Sequence, residues 1–394
     1  MLSVIVDILL AFLLIGYLVQ GYRSGFLRNV FSIAGVLGGA IAAVLLTPSV
    51  TGLIAQAPIR LVATIALFLA LIVIGSIVGG ALGKALARTV PRGPLRTLDK
   101  IAGAVSGVIV TALAASMVAF GIGSLGVPVL SPAISSSVVL AGIDRLTPDP
   151  VKSTMAQLRA LVVSDGIPSI SEALGGPTTA PSVPSLDTGT DAVSTASRSV
   201  VRISGNAYAC GQSQTGSGFV VAPDRVVTNA HVVSGVSEPV VESRSDGTVS
   251  GRVVYFDPVD DIAVIATDGL AAPALGFGTS LAAGTDAVAL GYPFGGPFAA
   301  KPANVISVAT LVVNDIYASS SSPREVYTLA ADVQPGNSGG PLLSVDGAIV
   351  GIVFAKGADT PNVGYAATMT ELAPVLAQAP TLNAGVSSGS CTTE

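Results

Sequence analysis

Four long apolar stretches open the chain, at residues 3–20, 29–55, 61–83 and 101–126. Each is long enough to cross a bilayer as a helix, which takes about 20 residues. Residues 127–198 break that pattern. Asp149–Val163 sets Val151, Met155, Leu158 and Val162 near one face of a short amphipathic helix. Gly175–Arg198 contains GGPTTAPSVPSLDTGTD, has no hydrophobic period and reads as a flexible tether. From Ser199 the chain turns to short runs rich in Val and Ile, broken by turn residues. They begin with Val200–Ile203, end with Val363–Ala366, and precede a helical stretch at Met369–Ala377. The expected architecture is an all-α four-helix transmembrane domain (1–126), a linker (127–198) and an all-β domain (199–394). About a dozen strands in that last length suit a Greek-key double β-barrel.

The loops between the apolar stretches set an orientation. Gly21–Arg28 carries Arg23 and Arg28, and Lys84–Lys100 carries Lys84, Arg88, Arg92, Arg96 and Lys100. Pro48–Arg60 carries only Arg60. Basic loops stay in the cytoplasm, so four spans place both termini, and the β domain, outside. The first stretch is not expected to be a cleaved signal, since it lacks a basic start, holds Asp7 and is followed by three more spans. Asp7, near the N-terminus, is expected at the outer headgroups, because a carboxylate deeper in lipid is costly. Gly35/Gly39, Gly75/Gly79/Gly83 and Gly103/Gly107 repeat at four-residue spacing, which lets helices approach closely in lipid.

Composition sharpens the division. Half of the residues are hydrophobic, 11% are charged, and the mean hydropathy is +0.73. Residues 1–126 hold eight Lys/Arg against two acids; the other eleven basic and twenty-two acidic residues follow, leaving the two parts at +6 and −11. An acidic outer part excludes nucleic acid as a partner, which requires a basic footprint. One His and two distant Cys make no metal-ligand set, and neither a metal nor an organic cofactor is expected.

The chemistry lies in Gly336–Leu342, GNSGGPL. A Ser among glycines suits a nucleophile, because the backbone turns sharply and presents free N–H groups to an oxyanion. Here the donors would be the Gly336 and Ser338 amides. GNSGG also fits the α/β-hydrolase elbow, but those enzymes place their His after the Ser. The one His of this chain, His231 in VVTNAHVV, precedes it. The order His231, Asp261, Ser338 is that of the chymotrypsin fold. Asp260 and Asp261 both sit in DPVDDIAVI; Asp261 directly precedes the buried run and is favoured as the acid, with Asp260 as an exposed turn residue. A non-catalytic scaffold would show a damaged position in this set, and none is damaged. A transporter with an accessory domain would carry several polar residues in its spans, where Asp7 alone stands out.

Three resemblances add to this reading. GYRSGFLRNVFSIAG (21–35) and RTLDKIAGAVSG (96–107) resemble the colicin V production protein family of four-span membrane proteins. TGSGFVVAPDRVVTNAHVV, DDIAVI, ALGYPFGG and ADVQPGNSGGPLL, in that order, resemble the trypsin-like protease domains of the HtrA group. The fusion of the two resembles the mycobacterial membrane-bound acid-resistance (MarP-type) serine proteases. That resemblance implies an envelope protease active in acid and oxidative stress, whose substrates are envelope proteins such as cell-wall hydrolases. The sequence leaves no room for a PDZ domain after the protease motifs, so peptide-gated activation is not expected. In the chymotrypsin fold Asp332, six residues before Ser338, falls near the base of the primary specificity pocket. An acid there would select basic side chains, unless it only caps a loop.

Cys210 and Cys391 both fall in the outer part, where disulfides persist. A bond between them would clip the tail SSGSCTTE to the barrel and could couple redox state to catalysis. In the chain-entropy model such a long loop is worth about 5 kcal/mol.

Overall fold

The computed structural model describes residues 2–52, 57–88, 93–124, 133–134, 137–160, 167–170, 177, 179–207, 212–244 and 247–392. Its first part is helical: α1 (Leu2–Ser24), α2 (Phe26–Gly52), α3 (Ala57–Ala87) and α4 (Pro94–Ser124). Among the described residues, four helices are long and apolar enough to span a membrane. The small-residue spacing does what it predicts. A Cβ on Gly35 would strike the Gly75 carbonyl of α3, and one on Gly79 the Phe31 carbonyl of α2. Gly21 and Gly103 bring α1 and α4 together in the same way.

The first loop is far shorter than the basic cluster implies. Gly25 alone, at φ +80°, separates α1 from α2. Its missing Cβ leaves room for the Asp99 carboxylate of α4, which accepts a hydrogen bond from the Leu27 amide at 3.1 Å. The carboxylate thereby satisfies one of the free N–H groups at the start of α2. The helix α4 also begins well before its apolar run, because Pro94 suits a first helical turn and the TLDK segment continues it. Arg92 lies outside the described residues.

Two short helices follow, α5 (Val138–Leu146) and α6 (Asp149–Ala160). Then come β1 (Ser169–Ile170), α7 (Asp191–Ala196), β2 (Val200–Ala207), β3 (Gln212–Ala222), β4 (Arg225–Thr228), α8 (Ala230–Val233), β5 (Val240–Ser243), β6 (Gly247–Asp257) and β7 (Ile262–Thr267). After these run β8 (Asp286–Gly291), β9 (Ala299–Asn314), β10 (Ser321–Ala330), β11 (Pro341–Ser344), β12 (Ile349–Gly357), β13 (Val363–Thr368) and α9 (Met369–Gln378). Strands β2-β3-β4-β7-β6-β5 close a first barrel. Strands β12-β11-β8-β9-β10-β13 form a second, closed by the pairing of β12 with β13.

Burial on both faces explains the unbroken apolar runs. On β7, Ala263 and Ile265 fill the first barrel with Val201, Ile203 and Val241. Ile262 and Val264 point the other way, into a core shared with Leu290, Ile352 and Phe354 of the second barrel. Period-two alternation thus serves two cores at once.

The linker is not free along its length. Ser169 and Ile170 pair in parallel with Lys356 and Gly357 of β12. Ile170, Val193 and Ala196 are buried, and Leu186 packs on the shared core. These apolar residues have no period in the sequence, yet they pack onto the core of the barrels.

Candidate active site

His231 sits on α8, a single helical turn directly after β4. Asp261 occupies the turn before β7 at φ +56°, a conformation uncommon for a residue other than Gly. The Asn229 amide group donates to the Asp261 carbonyl at 2.7 Å and ties the two turns together. One Asp261 oxygen accepts from the His231 backbone N–H at 2.9 Å, and the other lies 2.7 Å from His231 Nδ1. A buried carboxylate that only accepts requires the proton on Nδ1, so Nε2 presents its lone pair. Asp261 and Ser338 are nearly fully buried. Asp260 is partly buried in the same turn, where burial and the neighbouring charge of Asp257 raise its pKa.

Ser338 lies in the turn before β11. Its Oγ and His231 Nε2 are both buried without a hydrogen-bond partner among the described residues. Burying an unpaired polar atom is unfavourable, and such atoms concentrate where a substrate completes the network. Gly336 adopts φ +90°, and a Cβ there would strike the Tyr292 carbonyl. Among the described residues, neither the Gly336 nor the Ser338 amide donates to another backbone group. The loop is held from outside by its carbonyls. Pro335 O accepts from the Phe294 amide at 2.5 Å, and Ser338 O from the Ser217 amide at 2.8 Å. Gly336 O accepts from the Ser217 hydroxyl at 2.7 Å, and that hydroxyl accepts from the Tyr292 amide at 2.9 Å. The Thr228 hydroxyl donates to Ser217 O at 2.7 Å. Asn229, Ser217, Thr228 and Tyr292 were not singled out by sequence reasoning, although TGSGF, TNAH and GYPFGG contain them.

Asp332 is partly exposed and paired. Lys301 Nζ lies 3.1 Å from one carboxylate oxygen, and the Gln334 side chain donates to the other at 2.5 Å. Its charge is met within the protein, which runs against the expectation of an acid waiting for a basic side chain. Cys391 is in a disulfide, while Cys210 lies outside the described residues. The tail is bound by its backbone as well. Val386 N donates to Val253 O at 2.9 Å, and Gly235 N to Ser388 O at 3.1 Å.

A nucleophile, an oriented imidazole and two free amides constitute acyl-transfer chemistry, and comparison with known proteins agrees. Residues 216–352 match the trypsin-like peptidase domain, and residues 6–148 match the colicin V production protein family. The serine protease Rv3671c of Mycobacterium tuberculosis is 36% identical over 366 residues, covering 91% of this chain and 92% of that one. The chain belongs to this serine protease family. The crystal structure of the Rv3671c protease in its active form is similar, with a TM-score of 0.50 at 36% identity, over 58% of this chain and 95% of that one. A Chlamydia pneumoniae protein named "Probable periplasmic serine endoprotease DegP-like" is 35% identical over 147 residues, 35% of this chain and 28% of that one. The chain is thus a serine endopeptidase of the HtrA/DegP type, with a trypsin-like protease domain joined to a colicin-V-type helical region capable of anchoring it in a membrane.

Proposed function

We propose that His231, Asp261 and Ser338 form the catalytic triad, with the Gly336 and Ser338 amides as the oxyanion hole. The observation that carries this reading is the 2.7 Å contact of His231 Nδ1 with Asp261, together with a His231 Nε2 and a Ser338 Oγ that are each buried without a hydrogen-bond partner among the described residues. Ser338 Oγ attacks the scissile carbonyl while His231 Nε2 takes its proton. Asp261 stabilises the imidazolium, and the two amides hold the oxyanion. The imidazolium then protonates the leaving amine, giving an acyl-enzyme that water hydrolyses by the reverse proton path. A serine-reactive fluorophosphonate should label the full chain and leave Ser338→Ala unlabelled. Labelling of Ser338→Ala overturns the assignment.

The enzyme works, in this reading, as a multi-pass protein of the plasma membrane with its protease domain outside the cytoplasm. It cleaves envelope proteins, cell-wall hydrolases among them, under acid and oxidative stress. The basic loops, the acidic outer part and the similarity to Rv3671c support it. In this reading Cys391 pairs with Cys210, the one other cysteine of the chain. A membrane-impermeant maleimide on intact cells tests location and pairing together. Labelling should require prior reduction. Labelling without reductant removes the disulfide; labelling only after lysis removes the outward location.

A further inference from the structure

The Gly336 N–H belongs to the Pro335–Gly336 peptide. In a trans peptide the C=O and N–H point in opposite directions. The bond from Phe294 N to Pro335 O therefore decides where the Gly336 N–H points. The turn at Tyr292–Gly296 thus sets one half of the proposed oxyanion hole. Through Ser217 it also holds the Gly336 carbonyl. Two internal bonds, Gly295 N to Tyr292 O at 2.8 Å and Gly296 N to Pro293 O at 2.9 Å, close the turn, but they do so around Phe294 at φ +56° and ψ +26°, in the left-handed region that side chains disfavour.

Further ties to the turn come from the other barrel. Arg202 on β2 is buried, and its Nη1 donates to the Gly295 carbonyl at 2.8 Å. Its Nη2 meets the Glu242 carboxylate on β5. Its neighbours on β2 are Val200, Val201 and Ile203, all fully buried. A guanidinium in such a strand is unfavourable unless its donors are used. One is used on an acid and another on the turn, in a charge-assisted bond stronger than a neutral one. The Tyr292 hydroxyl, donating to Val200 O at 3.3 Å, adds a second tie from the turn to β2.

We propose that Arg202, anchored by Glu242, is a positioning residue for the oxyanion hole: it fixes the Tyr292–Gly296 turn, which fixes the Pro335–Gly336 peptide. This rests on the assignment of the hole above, so the first measurement is fluorophosphonate labelling of wild type against Ser338→Ala. Only if that assignment stands is Arg202 read. In the full chain, Arg202→Met should lower kcat about tenfold or more, with KM within about twofold, and slow labelling in parallel. The loss is expected to be smaller than removal of a hole donor outright. Arg202→Lys should recover part of it. Arg225, also buried, donates to the Leu382 carbonyl at 2.8 Å on another face. Arg225→Met should lower the melting temperature and spare kcat. An Arg202→Met protein that is folded and within twofold of wild-type kcat overturns the proposal. So does a loss no larger than the unfolded fraction. Should Arg202→Met fail to fold, Glu242→Gln decides: a several-fold fall in kcat supports the role, and an unchanged kcat overturns it.

Discussion

In the first barrel the groups aimed at chemistry are side chains. His231 and Asp261 stand on two turns, and Asn229 and the His231 backbone lock their geometry. In the second barrel, the Ser338 hydroxyl apart, they are backbone. Gly336 and Ser338 offer amides, and the loop carrying them is held by its carbonyls through Ser217 and the Tyr292–Gly296 turn. The barrels share an architecture, yet in the proposed mechanism one supplies proton transfer and the other the nucleophile and charge stabilisation. Side chains can be exchanged singly; a backbone site is changed only by altering what surrounds it.

Four substitutions sharpen the contrast. On the side-chain half, Asp261→Asn should cost about 10⁴ in kcat by favouring the wrong imidazole tautomer. Asp260→Asn should remain near wild type in the same peptide assay. The opposite ranking would mean that the contact at Asp261 is structural. On the backbone half, Gly336→Ala puts a Cβ against the Tyr292 carbonyl and a side chain at φ +90°. Displacing one hole donor should lower kcat by about 10²–10³ with little change in KM. Wild-type kcat there would show that this amide does not serve the reaction. The smallest effect is expected at Asp332. Lys301 already meets its charge, and a partly exposed pair contributes little, at most about 1 kcal/mol. Asp332→Asn should leave the cleavage preference of a peptide library unchanged. Loss of a preference for Arg or Lys would restore Asp332 as the selector.

The side-chain half was legible in the sequence and the backbone half only partly. His231, Asp261 and Ser338 stand out because their residue types are rare in that order and because IAVI marks the buried strand after Asp261. The glycines of GNSGG announce a tight turn. Nothing in Ser217 or Arg202 announces that each reaches across to a turn more than 70 positions away. Strand β5 was missed because Val240–Ser243 is short and follows Pro239. The helices were legible from hydropathy, whereas the one-residue turn at Gly25 depends on Asp99 from α4, a contact without local signal.

The pinning of β1 onto β12 matters to anyone who wishes to excise the catalytic part. Composition changes at about residue 199, and that is where a fragment would naturally be cut. Such a fragment would lose Ile170, Val193 and Ala196 from the shared core, together with the strand beside Lys356. It would expose the apolar surface they cover and leave a naked sheet edge, the usual starting point for association between chains. A cut upstream of Ile167 keeps that edge clothed.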